Sequence, residues 1–202
     1  MKPGAVLFDC DGVLADSEGL VNAIVAEELT ALGWPLKAHE AQQAFLGLAL
    51  PDIRVQISAR LGAVPAGWER ALGQRIEREL ATGLKPIEGA ADALAHVAGL
   101  GLPMAVCSNS SRLELAMKLE VLRFTGFFGG RVFSFEDVPR PKPAPDLYAA
   151  AAAACGMQPG ECLVVEDSAP GVAAGLAAGC RVVSLVPGMG VPHLEDLAGL
   201  LR

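Results

Sequence analysis

The sequence predicts an α/β protein: a parallel sheet covered by helices on both faces, with a helical unit inserted after the first strand. Five short runs rich in apolar and β-branched residues recur along the chain, with helical stretches between them. They are AVLFD (5–9), PMAVCS (103–108), RVFSF (131–135), CLVVED (162–167) and RVVSL (181–185). Continuous apolar strands separated by helices are typical of a parallel sheet that is buried on both faces.

The first two runs are separated by more than ninety residues, far more than one crossover helix requires. The intervening sequence is helical in pattern, because apolar residues recur in it at three- and four-residue spacing. One such stripe stops at Gly33 and consists of Leu20, Val21, Ile24, Val25, Leu29 and Leu32. A second consists of Trp68, Leu72, Ile76 and Leu80. We interpret both stripes as the core of a helix bundle rather than as ligand contacts.

These patterns predict two structural units. Residues 17–82 form a helical cap domain, and residues 1–16 together with 83–202 form the α/β core. A helix over residues 90–99 then returns the chain to the sheet.

Composition and charge argue against several classes of partner. With 202 residues, of which 52% are hydrophobic, the chain is long enough to bury a full core. Its net charge of −7 argues against nucleic acid and anionic membranes, because a phosphate backbone is bound by a basic surface. The longest nearly apolar run, LYAAAAAACGM, is too short and too rich in alanine to span a bilayer.

The cysteines indicate a reducing compartment. There are five of them, an odd number without a C-x-x-C pair, at positions 10, 107, 155, 162 and 180. This pattern is typical of small buried apolar side chains rather than of a zinc cluster or a disulfide framework. We therefore expect a cytoplasmic protein, and we expect it to be a monomer.

Acidic residues lie where two of the predicted strands end. Asp9 and Asp11 belong to the end of the first strand, and Glu166 and Asp167 to that of the fourth. Ligands of a parallel sheet bind beyond the carboxyl ends of its strands. Carboxylates that converge there repel each other unless a cation neutralises them, and such oxygen ligands suit Mg²⁺. Either pair alone could equally belong to a turn or a helix N-cap, but two pairs favour a cation site among Asp9, Asp11 and Asp167.

Two further features suit an anionic ligand. Ser108 lies at the end of the second strand, where its hydroxyl can donate a hydrogen bond to a phosphate oxygen. Ser111 and Glu114, just beyond it, fit a capping box of the next helix. Lys142 lies between two prolines, in a stiff loop that would hold its ammonium group in one place as a counter-charge to phosphate.

Four motifs in order resemble those of the haloacid dehalogenase superfamily of phosphotransferases. They are D-x-D-G-V-L-x-D-S, the strand ending in Ser108-Asn109, K-P-A-P-D-L-Y and V-V-E-D-S-A-P-G-V-A-A-G. The resemblance covers nearly the whole chain, including a helical cap between the first two motifs. It is greatest with the beta-phosphoglucomutase-like and phosphogluconate-phosphatase-like branch, and it implies a Rossmann-like parallel sheet of strand order 5-4-1-2-3.

The resemblance also implies a role for each residue of the site. Asp9 would be the nucleophile that accepts the phosphoryl group, and Asp11 would be the general acid and base. Asp9, the backbone carbonyl of Asp11 and the Asp167 carboxylate would hold Mg²⁺. Glu166 would act on the ion directly or through water. The phosphoryl oxygens would be bound by Ser108, Asn109 and Lys142.

We therefore predict a Mg²⁺-dependent phosphatase that hydrolyses a small phosphomonoester, a sugar or sugar-acid phosphate, through an aspartyl-phosphate intermediate. A phosphomutase of the beta-phosphoglucomutase type is the alternative within the superfamily. Leu50, in FLGLALPD (45–52), stands where the mutase cap has an arginine for a second phosphate, which argues against it. Arg54, Arg75 or Arg78 could take the place of that arginine.

An alternative from another class is a phospho-receiver signalling module. It also clusters acidic groups, a hydroxyl side chain and a lysine on a parallel sheet, but it would be much shorter and would lack the inserted cap. The cap is where an enzyme of this kind would select its substrate. The candidate residues for selectivity there are Glu18, Asn22, Gly47, Leu50, Arg75 and Arg78.

Overall fold

The computed structural model describes residues 2–62 and 64–200, apart from the side chains of Leu50 and Pro51. Its strands are β1 (Ala5–Phe8), β2 (Ala15–Asp16), β3 (Lys85–Pro86), β4 (Met104–Ser108), β5 (Val132–Ser134), β6 (Cys162–Glu166) and β7 (Arg181–Ser184). Five of them form one parallel sheet in the order β5-β4-β1-β6-β7. All five predicted strands are confirmed, each shortened by one or two residues.

The strand order follows the expected topology. When only the five strands of the parallel sheet are numbered along the chain and read from β7, their order is 5-4-1-2-3. The detail that the sequence did not predict is a separate antiparallel pair, β2 with β3. Each of these two strands has two residues, too few to show a hydrophobic pattern.

Helices occupy most of the remaining chain. Along the sequence they are α1 (Glu18–Ala31), α2 (Ala38–Phe45), α3 (Leu50–Leu61), α4 (Trp68–Gly83), α5 (Ala90–Gly99), α6 (Arg112–Val121), α7 (Thr125–Phe128), α8 (Asp146–Ala154) and α9 (Ala169–Ala177). The predicted helix over residues 90–99 is thereby confirmed as α5.

The sheet is buried on both faces, as its apolar strands predict. Successive residues of β1 point to opposite faces because the side-chain period of a strand is two. Val6 and Phe8 belong to a core that includes residues of α5 and α6, whereas Ala5 and Leu7 belong to a second core that includes residues of α8 and α9. This arrangement leaves the carboxyl edge of the sheet as the place where a ligand can reach the strands.

The four helices α1 to α4 lie between β2 and β3 and have an apolar core of their own, which includes Leu29, Phe45 and Ile57. The pairing of β2 with β3 brings together the two points where the chain leaves for these helices and returns from them. The division into a core (1–16 and 83–202) and a cap (17–82) stays a prediction.

No helix within the described ranges is long and apolar enough to cross a membrane. All five cysteines are free, and those with buried side chains are Cys10, Cys107, Cys162 and Cys180. Their burial agrees with the prediction that they serve as small apolar side chains.

The helix α9 approaches the sheet closely at Gly175. A Cβ atom on this residue would lie 2.8 Å from Val182 Cγ2 and 3.3 Å from Val164 Cγ1. Neither distance leaves room for a methyl group without movement of the two valines. The absence of a side chain therefore allows α9 to pack against β6 and β7.

We expect Gly175→Ala to lower the free energy of unfolding by about 1–2 kcal/mol, because the added methyl group overpacks the core. Urea denaturation of the purified variant measures this change. Gly99→Ala is the matched control, since a Cβ atom at that helical position meets nothing within 4 Å. Equal stability of the two variants would contradict the packing argument.

Candidate active site

Three carboxylates converge at the carboxyl edge of the sheet. Asp9 directly follows β1, and Glu166 and Asp167 lie at the end of β6. Since β1 and β6 are neighbouring parallel strands, their carboxyl ends lie side by side. One carboxylate oxygen from each of the three residues lies within 4.8 Å of the others, and all three residues are buried. The structure thus brings together three of the four carboxylates that we selected from the sequence.

The fourth carboxylate, that of Asp11, has different partners. Its Oδ1 accepts hydrogen bonds from Ser17 Oγ and, at 2.5 Å, from Lys118 Nζ. Its Oδ2 accepts hydrogen bonds from Ser108 Oγ at 3.1 Å and from Ser110 Oγ at 3.0 Å. The Asp11 side chain therefore lies outside the converging cluster of side-chain oxygens. The backbone carbonyl of Asp11 stays a predicted metal ligand.

Lys142 lies between two of the converging carboxylates. Its Nζ donates hydrogen bonds to Asp9 Oδ1 and Glu166 Oε1, both at 2.6 Å, and to the backbone carbonyl of Cys107 at 2.9 Å. The Asn109 side chain holds the lysine backbone in place, because its Oδ1 accepts from Lys142 N at 3.0 Å and its Nδ2 donates to Lys142 O at 3.1 Å. The stiff loop predicted from the sequence thus delivers a buried ammonium group to the site.

The carboxylate of Glu166 is fully engaged by hydrogen bonds. Besides the lysine, Tyr148 donates its hydroxyl to Oε1 at 2.7 Å. Oε2 accepts from the backbone N–H groups of Asp167 and Ser168, at 3.0 and 3.1 Å, and from Ser168 Oγ at 3.0 Å. Gly171 leaves room for this arrangement, since a Cβ atom there would lie 1.7 Å from Glu166 Oε1. The glutamate is therefore fixed in one orientation.

The electrostatics of the cluster favour the binding of a cation. Burial, followed by repulsion from Glu166, raises the pKa of Asp9 to about 8, although Lys142 acts in the opposite direction. Burial and then repulsion from Asp9 raise the pKa of Asp167 to about 9. Both values lie far above those of ordinary aspartates, so the cluster has more negative charge than its single lysine offsets. A hard cation held by these oxygens would restore the balance.

Lys118 is a buried lysine of the site that the sequence analysis missed. Only 1% of its side chain is exposed, and its Nζ lies 2.5 Å from both Asp11 Oδ1 and Glu114 Oε1. It also donates a hydrogen bond to Ser110 Oγ at 2.9 Å. Burial alone would raise the pKa of Asp11, but the charge and hydrogen bond of Lys118, together with the hydroxyl groups of Ser17 and Ser110, lower it. The lysine therefore keeps the Asp11 carboxylate ionised.

The sequence held a partial signal for this lysine. The predicted cap is confirmed in one half, because Ser111 Oγ accepts a hydrogen bond from the backbone N–H of Glu114 at 3.2 Å. The Glu114 carboxylate instead pairs with Lys118, four residues further along α6. A glutamate four residues before a lysine on a helix usually indicates a solvent-exposed pair, which is why this lysine did not stand out.

The helical insertion closes over the carboxyl edge of the sheet. Gly47, between α2 and α3, accepts a hydrogen bond on its carbonyl from Asn109 Nδ2 at 2.9 Å. Its φ of 71° is in the left-handed region, and a Cβ atom there would lie 2.9 Å from Ser168 Cβ. A cavity of about 240 Å³ remains between the helices and the sheet. It is lined by Asp9, Asp11, Ser108 and Lys142 on one side and by the inserted helices on the other.

The predicted selectivity residues divide into two groups. Those that line the cavity are Glu18, Asn22 and Gly47. Arg75 and Arg78 do not line the cavity, and Arg75 instead forms ion pairs with Glu27 and Glu28. The side chain of Leu50 lies outside the part of the chain that the structure describes, so its prediction is not tested.

The apolar stripe of α4 does more than the sequence indicated. Leu80 is fully buried, but in the core that includes Val6 and Phe8 of β1 rather than in the core of the helix bundle. Trp68, Leu72 and Ile76, one to three turns earlier, line the cavity. The interpretation of this stripe as bundle core alone is therefore corrected. A ligand cavity inside a helical insertion needs apolar walls, and these have the same spacing as a packed core.

Comparison with known proteins identifies the family. Residues 3–179 match the sequence model of a family described as haloacid dehalogenase-like hydrolase. The chain belongs to this family. It is 32% identical over 180 residues to the 6-phosphogluconate phosphatase of Escherichia coli (strain K12), covering 88% of this chain and 80% of that protein. It is 30% identical over 204 residues to hexitol phosphatase A of the same organism, covering 98% and 89%.

A solved structure of the same family agrees with the fold. The haloacid dehalogenase family hydrolase of Deinococcus radiodurans R1, which holds phosphate and sodium, is 34% identical to this chain with a TM-score of 0.76. The alignment covers 98% of this chain and 93% of that one. These relatives place the chain in the phosphoglucomutase-like branch of the family. The named phosphatases among them show that it is a phosphoric monoester hydrolase.

We expect Lys118→Met to lower the free energy of unfolding by about 3 kcal/mol, because it leaves two carboxylates beside a buried apolar group. Guanidinium denaturation measures this change. Arg112→Met is the control, since it also removes a cation from α6, but Arg112 pairs with Asp137 on the surface. Exposed ion pairs contribute little, so this variant should keep nearly full stability. A comparable loss in both variants would show that Lys118 is not a buried counter-charge.

Proposed function

We propose that the protein hydrolyses a sugar or sugar-acid phosphate in two displacements at Asp9. In the first, an Asp9 oxygen attacks phosphorus, the ester P–O bond breaks, and Asp11 gives a proton to the departing alcohol. In the second, Asp11 takes a proton from water, whose oxygen attacks the aspartyl phosphate and releases inorganic phosphate with a free Asp9. The single observation that carries this proposal is that two aspartates at one strand end lie in opposite electrostatic surroundings.

These surroundings support the separate roles. Lys118 and three hydroxyl groups hold the Asp11 carboxylate, so it stays near the ester and away from the converging cluster. Its lowered pKa favours the ionised form that the second displacement requires. The negative charge of a bound phosphate raises the pKa of a nearby carboxyl group, which favours the protonated form in the first displacement.

The donor set fits Mg²⁺, which prefers carboxylate and carbonyl oxygens. We assign direct coordination to the carboxylates of Asp9 and Asp167 and to the carbonyl of Asp11. Glu166 has hydrogen bonds to both of its oxygens, which supports a role in orienting Asp167 rather than in direct coordination. When bound, Mg²⁺ offsets the charges of the carboxylates and of the phosphoryl oxygens.

Phosphoryl binding is assigned to Ser108 and Lys142, with Asn109 as their support. Ser108 is buried at the end of β4, with its hydroxyl beside Asp11. Lys142 is 2% exposed and already faces Asp9. Both ends of the Asn109 amide are occupied by Lys142 and by Gly47, so Asn109 contributes by positioning the lysine and the cap.

Hydrolysis is favoured over phosphomutase chemistry. A mutase must bind the second phosphate of a bisphosphate, and such a phosphate needs a cationic partner in the cap. Arg54 lines the cavity, but it lies 3.6 Å from Glu69. Arg75 is paired with two glutamates elsewhere.

A cytoplasmic location and a monomeric state also stay part of the proposal.

We expect Asp9→Asn to keep its fold and to lose phosphatase turnover by at least about a thousandfold, because an amide does not attack phosphorus. Turnover of Asp9→Asn near the wild-type rate would contradict the mechanism.

Asp11→Asn separates the two displacements. With p-nitrophenyl phosphate, whose leaving group needs little protonation, this variant should release about one p-nitrophenol per enzyme in a burst and then stall. Stopped-flow absorbance measures the burst.

We expect activity to disappear in EDTA and to return with Mg²⁺. Ca²⁺ should restore little, because its larger and looser coordination shell misplaces the attacking carboxylate. Initial rates of phosphate release over a series of Mg²⁺ concentrations measure the dependence. Asp167→Asn should raise the Mg²⁺ concentration that gives half-maximal activity, and Asp137→Asn is its control, because Asp137 pairs with Arg112 and is not among the converging carboxylates. Full activity in metal-stripped protein would rule out the requirement.

A further inference from the structure

The cavity under the cap has an excess of negative charge. Among the described residues that line it, six are acidic and three are cationic. The acidic ones are Asp9, Asp11, Glu18, Glu69, Glu77 and Glu114. We infer that the cap selects phosphomonoesters whose phosphate is the only anionic group, and so selects neutral sugar phosphates against sugar-acid phosphates. This inference rests on the proposed function and decides between its two substrate classes.

The cationic side chains of the cavity already have partners. Lys142 lies between Asp9 and Glu166. Lys118 is shared between two carboxylates at 2.5 Å, and Arg54 lies 3.6 Å from Glu69. A carboxylate at the far end of a substrate would have to displace one of these partners. It would therefore gain little attraction in return for the loss of its hydration.

Two acidic side chains of the lining, those of Glu18 and Glu77, form no ion pair within the described ranges. Glu18, at the start of α1, accepts a hydrogen bond from the neutral Gln42 at 2.7 Å. Burial raises the pKa of Glu18, as does repulsion from Asp11, although the Gln42 hydrogen bond lowers it. Glu77, on α4, is half-buried beside the same cavity. A second anion on the substrate would approach two carboxylates that form no ion pair, in a partly dehydrated space, which is unfavourable.

The remainder of the cap lining suits an uncharged organic group. Most of it is apolar, with Val25, Phe45, Ile57 and Leu72 from α1, α2, α3 and α4. The C–H faces of a neutral sugar would contact these apolar walls. Apolar walls offer a carboxylate no counter-charge, so the loss of hydration beside them costs a carboxylate more than a hydroxyl group.

The test compares sorbitol 6-phosphate with 6-phosphogluconate, which differ in that a CH₂OH group of the first is a carboxylate in the second. Isothermal titration calorimetry of each ester into Asp9→Asn protein with Mg²⁺ gives dissociation constants without turnover. We expect sorbitol 6-phosphate to bind at least about tenfold more tightly. Glu77→Gln and Glu18→Gln, each added to Asp9→Asn, should reduce this ratio by about threefold. Glu79→Gln, on the exposed side of α4, is the matched control and should leave the ratio unchanged.

Equal or tighter binding of 6-phosphogluconate would overturn the inference. It would also be overturned by a ratio that neither Glu77→Gln nor Glu18→Gln changes, or by a failure of both esters to bind. The proposed function is tested separately with wild-type protein and p-nitrophenyl phosphate. Wild-type protein that releases no phosphate from it would refute the hydrolysis and leave the measured binding ratio intact.

Discussion

The rest of the site depends on the ion pairs that the buried ammonium group of Lys142 forms. This group lies 2.6 Å from carboxylate oxygens of both Asp9 and Glu166. Two carboxylates that lie so close together in a buried place repel each other, and the ammonium group between them offsets part of this repulsion. Asn109 fixes the backbone of the lysine and Tyr148 fixes the glutamate, so the neighbouring residues preserve this one geometry. The fold contributes by placing β1 beside β6.

Two lysines divide the carboxyl edge of the sheet into two electrostatic environments. Lys142 is shared with Glu166 and does not offset the burial of Asp9, so the pKa of Asp9 is raised to about 8. Burial would raise the pKa of Asp11, but Lys118 and the hydroxyl groups of Ser17 and Ser110 together lower it. Neighbouring carboxyl groups with opposite shifts are suited to different steps of one reaction. Only two positions separate these aspartates along the chain, so their surroundings create the difference.

The helices above the sheet serve two purposes with one pattern of residues. Their apolar side chains pack against one another, which stabilises the insertion, and the remaining apolar surface forms the wall of the cavity. The charged residues of that wall are mostly acidic, as is the whole chain with its net charge of −7. The proposed attraction for an anionic substrate is therefore confined to the end of the cavity where Lys142 and the converging carboxylates lie.

The sequence by itself determined the parallel sheet, the helical insertion and the residues at the strand ends. These features depend on local patterns, because strand runs, helical spacing and the position of Asp9 after an apolar run are all visible within a few residues. Only the tertiary structure decided the partners of these groups. Lys118 contacts Asp11 from 107 positions away, and Lys142 contacts Asp9 from 133 positions away. Such contacts depend on how distant elements pack, and a pattern of neighbouring residues carries no measure of that distance.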